Sequence, residues 1–275
     1  MTSFAIGFLA LAATAAITAN AATERFCAND TVGRSLLCVE QQSLEGNTRV
    51  EFNVVNSYDF PVTVTFRPTF VNMAADASFP YVMVIPAGVR KRVYSAWRTN
   101  PAEKNFWNND WTMRFGPNEP RHNPTVRYRL PFPEEKNFQL IQGYGGSETH
   151  QDEFQYSLDW EMPIGTPVLA ARAGKIIHAI DRFSGRSTDP SFKERTNTIT
   201  LLHADGTLAE YSHIGTGTLK VKLGQQVKEG ELLALSSDVG YSGGPHLHFR
   251  VFRLIRGTEY ESLPVRFQDA GSKNQ

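Results

Sequence analysis

From Thr48 onward the first half of this chain is written in short strand-like runs of about four to eight residues, several alternating apolar with polar, cut by Gly, Pro, Asn or Asp. A period of two is that of a strand whose two faces differ, and no long helical period competes with it. Arg49-Val50-Glu51-Phe52-Asn53-Val54-Val55, Pro61-Val62-Thr63-Val64-Thr65-Phe66, Tyr81-Val82-Met83-Val84-Ile85 and Arg90-Lys91-Arg92-Val93-Tyr94 are four such runs. They predict a β-sandwich-like domain over residues 23–135. Trp97, Phe106, Trp107, Trp111 and Phe115 lie close together there and are expected to serve packing, the commoner fate of aromatics in a small sandwich.

The second half is also strands. Pro167-Val168-Leu169-Ala170-Ala171 and Lys175-Ile176-Ile177-His178-Ala179-Ile180 flank Arg172-Ala173-Gly174, and residues 198–203 and 207–213 flank Ala204-Asp205-Gly206. An Asp-Gly between alternating runs predicts a hairpin. Residues 181–196 are polar and irregular and read as a long loop. Tyr128-Arg129-Leu130-Pro131-Phe132-Pro133-Glu134-Glu135 combines proline with charge and is the candidate boundary, which leaves residues 136–265 as a second, antiparallel β domain and 266–275 as a tail. The fold class expected is mainly β, in two domains.

Residues 1–22 read as a secretory signal peptide, with an apolar stretch over 4–19 and a small-x-small cleavage site at Ala19-Asn20-Ala21, although the leader holds no Lys or Arg. Its apolar run falls short of the roughly 20 residues that comfortably span a bilayer, so no stable membrane span is expected after cleavage. The chain is expected to be exported, to a periplasm or out of the cell. There, Cys27 and Cys38, the two cysteines of the chain, would form a disulfide worth about 2–3 kcal/mol. Lys+Arg and Asp+Glu balance at 28 each, which removes the global field that would argue for nucleic acid as the partner.

Gly243-Gly244-Pro245-His246-Leu247-His248-Phe249-Arg250-Val251-Phe252 carries the chemistry. As a strand it turns Leu247, Phe249 and Val251 to one face and His246, His248 and Arg250 to the other. One imidazole can then bind a metal while the other reaches a water or substrate beside it. A catalytic zinc usually takes three protein ligands and keeps a fourth position for water. Asp159 interrupts the half-apolar run Phe154-Gln155-Tyr156-Ser157-Leu158-Asp159-Trp160, where an unpaired carboxylate would be costly unless a cation meets it, and His150 precedes it by nine positions. Spacing alone does not select these two.

From Gln142-Gly143-Tyr144 to Phe252 the chain resembles the M23 family of metallopeptidases, the lysostaphin-like or LytM-like zinc endopeptidases that cut peptidoglycan peptides. The resemblance runs through His150, Leu158-Asp159, Pro163-Ile164-Gly165-Thr166-Pro167-Val168, His203-Ala204-Asp205-Gly206-Thr207, Tyr211-Ser212-His213 and His246-Leu247-His248-Phe249. It implies that residues 136–265 form an M23-like zinc peptidase domain, with His150, Asp159 and His248 as Zn2+ ligands and His213 and His246 as catalytic residues. One of those two would act as general base on the attacking water and the other would serve the oxyanion or the leaving amine, in an order the sequence leaves open. The commonest family form places three residues between the first His and the Asp; here there are eight, a longer variant of the motif. The substrate implied is a peptidoglycan peptide. The alternative is a non-catalytic envelope protein that binds peptidoglycan or regulates a cell-wall hydrolase, whose mark would be the loss of metal ligands. His203 matches a family position that is not a ligand and is expected to be structural; His178 lies in an alternating strand and is expected to be packed or exposed. His122 is expected in a loop.

Overall fold

A computed structural model describes residues 23–29 and 33–268, so the expected leader lies outside the described residues. The chain is mainly β and divides into two compact units. One runs to Asn118 and takes in Arg256–Thr258; the other comprises Glu119–Ile255 and the residues from Glu259 onward.

In the first unit a five-stranded antiparallel sheet has the order Thr23–Asn29, Ser35–Leu44, Arg49–Asn56, Arg90–Arg98, Met73–Ala75. A three-stranded antiparallel sheet has the order Trp111–Phe115, Val62–Phe66, Tyr81–Ile85. The apolar positions pack as the sequence predicts, but their polar alternates Asn53, Thr63 and Thr65 are buried as well. Val50, Phe52 and Val54 of one sheet are fully buried, as are Val62, Val64 and Phe66 of the other. Tyr94 joins them, stacked on Phe52 at 4.5 Å and edge-on to Phe66 at 5.7 Å. Cys27 and Cys38 sit opposite each other in register and are joined by a disulfide. The aromatic cluster does not behave as one body. Phe115 is buried against Tyr58 and Phe60, whereas Trp97 and Phe106 are exposed.

The second unit is built on an eight-stranded antiparallel sheet. Its order is Leu140–Gln142, Leu158–Glu161, His246–Ile255, Leu208–Ser212, Thr198–Leu202, Gly174–Ile180, Gln226–Val227, with Glu259–Leu263 pairing the far half of the His246–Ile255 strand. The hairpin predicted at Asp205-Gly206 is present: the Gly206 amide donates to the His203 carbonyl at 2.9 Å, with Gly206 at φ 85 where a side chain would be strained. One face of the sheet is apolar, with Leu158, Trp160, Leu247, Phe249, Val251, Ala209, Tyr211, Ile199, Leu201 and Ile176 all in a single core. Against it packs a two-stranded sheet, Pro167–Leu169 with Leu232–Leu235. The proline-rich stretch 128–135 lies within this unit, and Tyr128 and Phe132 are buried in its core.

Residues 181–196 are less irregular than the sequence suggests. Arg186–Ser187 pairs in parallel with Gly240–Tyr241, and Asp189 caps a short 3-10 turn, Pro190–Arg195, by accepting from the Ser191 amide at 2.9 Å. An Asp followed by Pro supplies both a cap and a preset φ, a signal that one turn of helix is too short to show as a period.

Phe249 is the pivot of the core, in ring contact with Tyr211 at 5.1 Å and with Trp160 and Phe267 at 6.3 Å. Phe249→Ala is expected to cost about 3–5 kcal/mol, measurable by urea unfolding, because the surrounding strands cannot collapse into the space it leaves.

Candidate metal centre

The apolar face of the sheet fixes what the opposite face must carry. Leu158 and Trp160 point into the core, so Asp159 between them points the other way; the same holds for His246, His248 and Arg250, which alternate with Leu247, Phe249 and Val251. Strand register then aligns a polar row across the sheet, in which Asp159 faces His248, His248 faces Ser212, and Ser212 faces Thr198.

Asp159 is buried between two imidazoles. His248 brings Nδ1 to 2.8 Å from Oδ1, and His150 brings Nε2 to 3.1 Å from Oδ2, close but without forming a hydrogen bond. His150 comes from outside the sheet. It is fully buried, and its Nδ1–H donates to the Gly143 carbonyl at 2.9 Å. That bond places the proton on Nδ1 and leaves a lone pair on Nε2, turned towards a carboxylate oxygen. Gln142, the register partner of Asp159, donates its side-chain amide to the same Oδ2 at 3.3 Å and to Thr149 Oγ1 at 2.7 Å. Burial alone would raise the Asp159 pKa, but the imidazoles of His248 and His150 outweigh it and hold the carboxyl well below the usual carboxylate range.

These residues fit a metal ion. Two electron-rich atoms facing each other at 3.1 Å repel unless a cation or proton stands with them, and Nε2 of both His150 and His248 is buried without a hydrogen-bond partner. The ligand atoms of His150, Asp159 and His248 all lie within 4.8 Å of one another. Two imidazole nitrogens and one carboxylate oxygen make a three-ligand donor set that leaves a position open.

His213 and His246 stand beside this cluster with ring centroids 4.3 Å apart, and His213 is 6.3 Å from His248. Each donates its Nδ1–H to a backbone carbonyl, His213 to Val239 and His246 to Gly244, both at 2.9 Å, so each keeps a lone pair on Nε2. Burial, with the neighbouring His246, pushes His213 down to about 3; burial also lowers His246, though Asp159 opposes it. His213 holds φ +64, a left-handed conformation that a β-carbon disfavours and that the surroundings must impose.

Asn197 brackets this residue with hydrogen bonds, and nothing in the sequence pattern marks that asparagine. Fully buried, it accepts the His213 amide on its own carbonyl at 3.0 Å and donates its side-chain amide to the carbonyls of Ile214 and Phe183. Ser242 is a second such residue, its hydroxyl donating to the Gly244 carbonyl that also receives His246. Arg186, from the 181–196 loop, pairs with Asp238 and donates to the Gly243 carbonyl at 2.7 Å, tying that loop to the turn before His246.

The remaining histidines lie elsewhere. His203 is buried with Nδ1–H donated to Ala173 and its ring edge-on to Tyr128; burial pushes it down to about 4. His178 is buried opposite Thr200, with two whole strands between its own and that of His248. Neither joins the cluster.

Residues 153–261 match the family model described as peptidase family M23, a span that holds Asp159, His213, His246 and His248 and begins three residues after His150. Among curated proteins the chain is 32% identical over 141 residues to an uncharacterized metalloprotease of Buchnera aphidicola, covering 50% of this chain and 34% of that one. It is 37% identical over 113 residues to lysostaphin of Staphylococcus simulans, covering 40% of this chain and 20% of that one. It is 28% identical over 115 residues to the peptidoglycan DD-endopeptidase ShyA of Vibrio cholerae, covering 42% and 23%. The chain thus spans between a fifth and about a third of the length of these relatives. The family match falls on the unit that carries the histidine and aspartate cluster, and it identifies residues 153–261 as matching a peptidase family M23 domain.

Proposed function

We propose that the chain is an exported zinc metalloendopeptidase that hydrolyses peptide bonds in peptidoglycan cross-links. The observation that carries this reading is the convergence of His150, Asp159 and His248, buried, with Nε2 of both imidazoles lacking a hydrogen-bond partner and two further imidazoles alongside. His150, Asp159 and His248 would hold the zinc. Bound there, zinc would acidify a water and polarise the scissile carbonyl. His213 and His246, each with Nε2 free to accept, would take the water's proton and return it to the leaving amine. Gly143 and Gln142 would keep His150 and Asp159 oriented, as groups bonded to metal ligands commonly do.

Peptidoglycan as substrate is supported by the names of the lysostaphin and DD-endopeptidase relatives. Export is supported by the Cys27–Cys38 disulfide, a bond that persists in oxidising compartments. Among the described residues no helix is long and apolar enough to cross a membrane. The balanced net charge gives no reason to invoke nucleic acid.

Dialysis of the purified protein against a chelator is expected to abolish release of free amino groups from purified sacculi, and added zinc to restore it. Zinc is also expected to raise the melting temperature, since a ligand that binds only the folded state stabilises it. Undiminished hydrolysis by protein shown to be metal-free would overturn the proposal.

A further inference from the structure

Eight residues separate His150 from Asp159, and a connection of that length does not by itself hold an imidazole against a carboxylate. Its middle is a single 3-10 turn, Asp152–Phe154, with no buried residue of its own. The strand Glu259–Leu263 lies against the turn, and Ser262 accepts from the Tyr156 amide just beyond it, but the side chain that grips the turn itself comes from the strand that carries His248. Arg250 lies on the same face as His248, with its side chain 4% exposed. Its Nη1 donates to the Glu153 carbonyl at 3.2 Å, and its guanidinium carbon lies 3.9 Å from the centroid of the Phe154 ring. The Phe154 ring in turn stands 6.0 Å from that of His248.

The guanidinium is itself held. Nε and Nη2 donate to the two carboxylate oxygens of Glu210 at 3.1 and 3.3 Å, and Glu210 is the register partner of Arg250 on the adjacent strand. A two-pronged bond of this kind fixes the plane of the fork as well as its position. Stability alone does not require the pair, because apolar residues of similar volume commonly replace a buried ion pair at no loss. We infer that Arg250 is a positioning residue for the metal centre: oriented by Glu210, it clamps the Asp152–Phe154 turn through the Glu153 carbonyl and the Phe154 ring, and so sets His150 against Asp159 and His248. This deepens the proposed function and rests on it.

The test uses the full chain with zinc or cobalt(II) as the only probe. The Glu210→Met/Arg250→Met double variant, which removes both charges together, is expected to keep the melting temperature of the metal-free wild type and to bind zinc roughly 10–100-fold more weakly in competition with a chromophoric chelator. Its cobalt(II) complex should lose visible absorbance per bound ion as water replaces His150. Arg250→Lys keeps the charge opposite Glu210 but not the planar fork, and should fail to rescue zinc affinity. Should the double variant unfold, Arg250→Lys decides the matter. Variants that bind zinc as tightly as the wild type, with the wild-type cobalt spectrum, overturn this inference and leave the proposed function standing. A wild type that binds neither ion overturns both.

Discussion

Asp159→Ala is expected to lose bound zinc and, with it, hydrolysis by roughly three orders of magnitude or more, because it removes one of the three proposed ligands and the one that carries negative charge. The carboxylate does two jobs at once. It meets His150 on Oδ2 and His248 on Oδ1, so its removal also separates the two imidazoles it holds together. Asp159→Asn separates the two jobs. It keeps the shape and one carbonyl oxygen but loses the charge, and should retain more zinc than Asp159→Ala while remaining far below the wild type. Without metal, both substitutions remove an ion whose pKa is depressed in the folded chain. A depressed carboxyl contributes stability above its unfolded pKa and loses it as the pH falls. Metal-free Asp159→Ala should therefore be less stable than the metal-free wild type at neutral pH and converge with it in acid. Zinc content by mass spectrometry of the metal, read beside hydrolysis, checks the first result; an Asp159→Ala protein with one tightly held zinc per chain would refute it.

How far the sequence reveals this centre differs from residue to residue. Alternation alone puts His246, His248 and Arg250 on one face and Leu247, Phe249 and Val251 on the other, and the three apolar residues are fully buried in the core. The mainly β class and the Asp205-Gly206 hairpin are likewise local properties of the chain. The pairing of Asp159 with His248 is not local: 89 positions separate them, and only the register of two strands brings them together. Asn197 is harder still. It works through backbone groups of Phe183 and Ile214, 14 and 17 positions away, and an asparagine among threonines carries no periodic signal of that. The residues between His150 and Asp159 look like slack in the sequence. In the fold they form a turn, and the side chain that holds it, Arg250, arrives from a strand about a hundred positions on.

His246→Ala should separate proton transfer from metal binding: zinc content unchanged, and turnover reduced by roughly 10²–10⁴-fold, the usual worth of a positioned general acid or base. His213→Ala should fall in the same range, and its effect should not add fully to that of His246→Ala, since the two rings are 4.3 Å apart and serve one proton path. Both imidazoles enter the reaction unprotonated on Nε2, because their Nδ1–H groups are committed to Val239 and Gly244. Burial pushes His213 down to about 3 and lowers His246, so the neutral form of each persists below the ordinary histidine pKa of about 6.5. The sign follows directly: a base with a lowered pKa stays competent as the pH falls, so the acid limb of kcat/KM, measured with zinc saturating, should lie below pH 6.5. His246 is the better placed to accept the first proton, for it is the less buried of the two and Asp159 is the leading influence favouring its charged form, whereas at His213 Asp159 is the least of the influences. If so, the acid limb should move more in Asp159→Asn with added zinc than in His213→Ala. An acid limb at or above the ordinary histidine pKa, or a His246→Ala protein that loses its zinc, would place His246 in a different role.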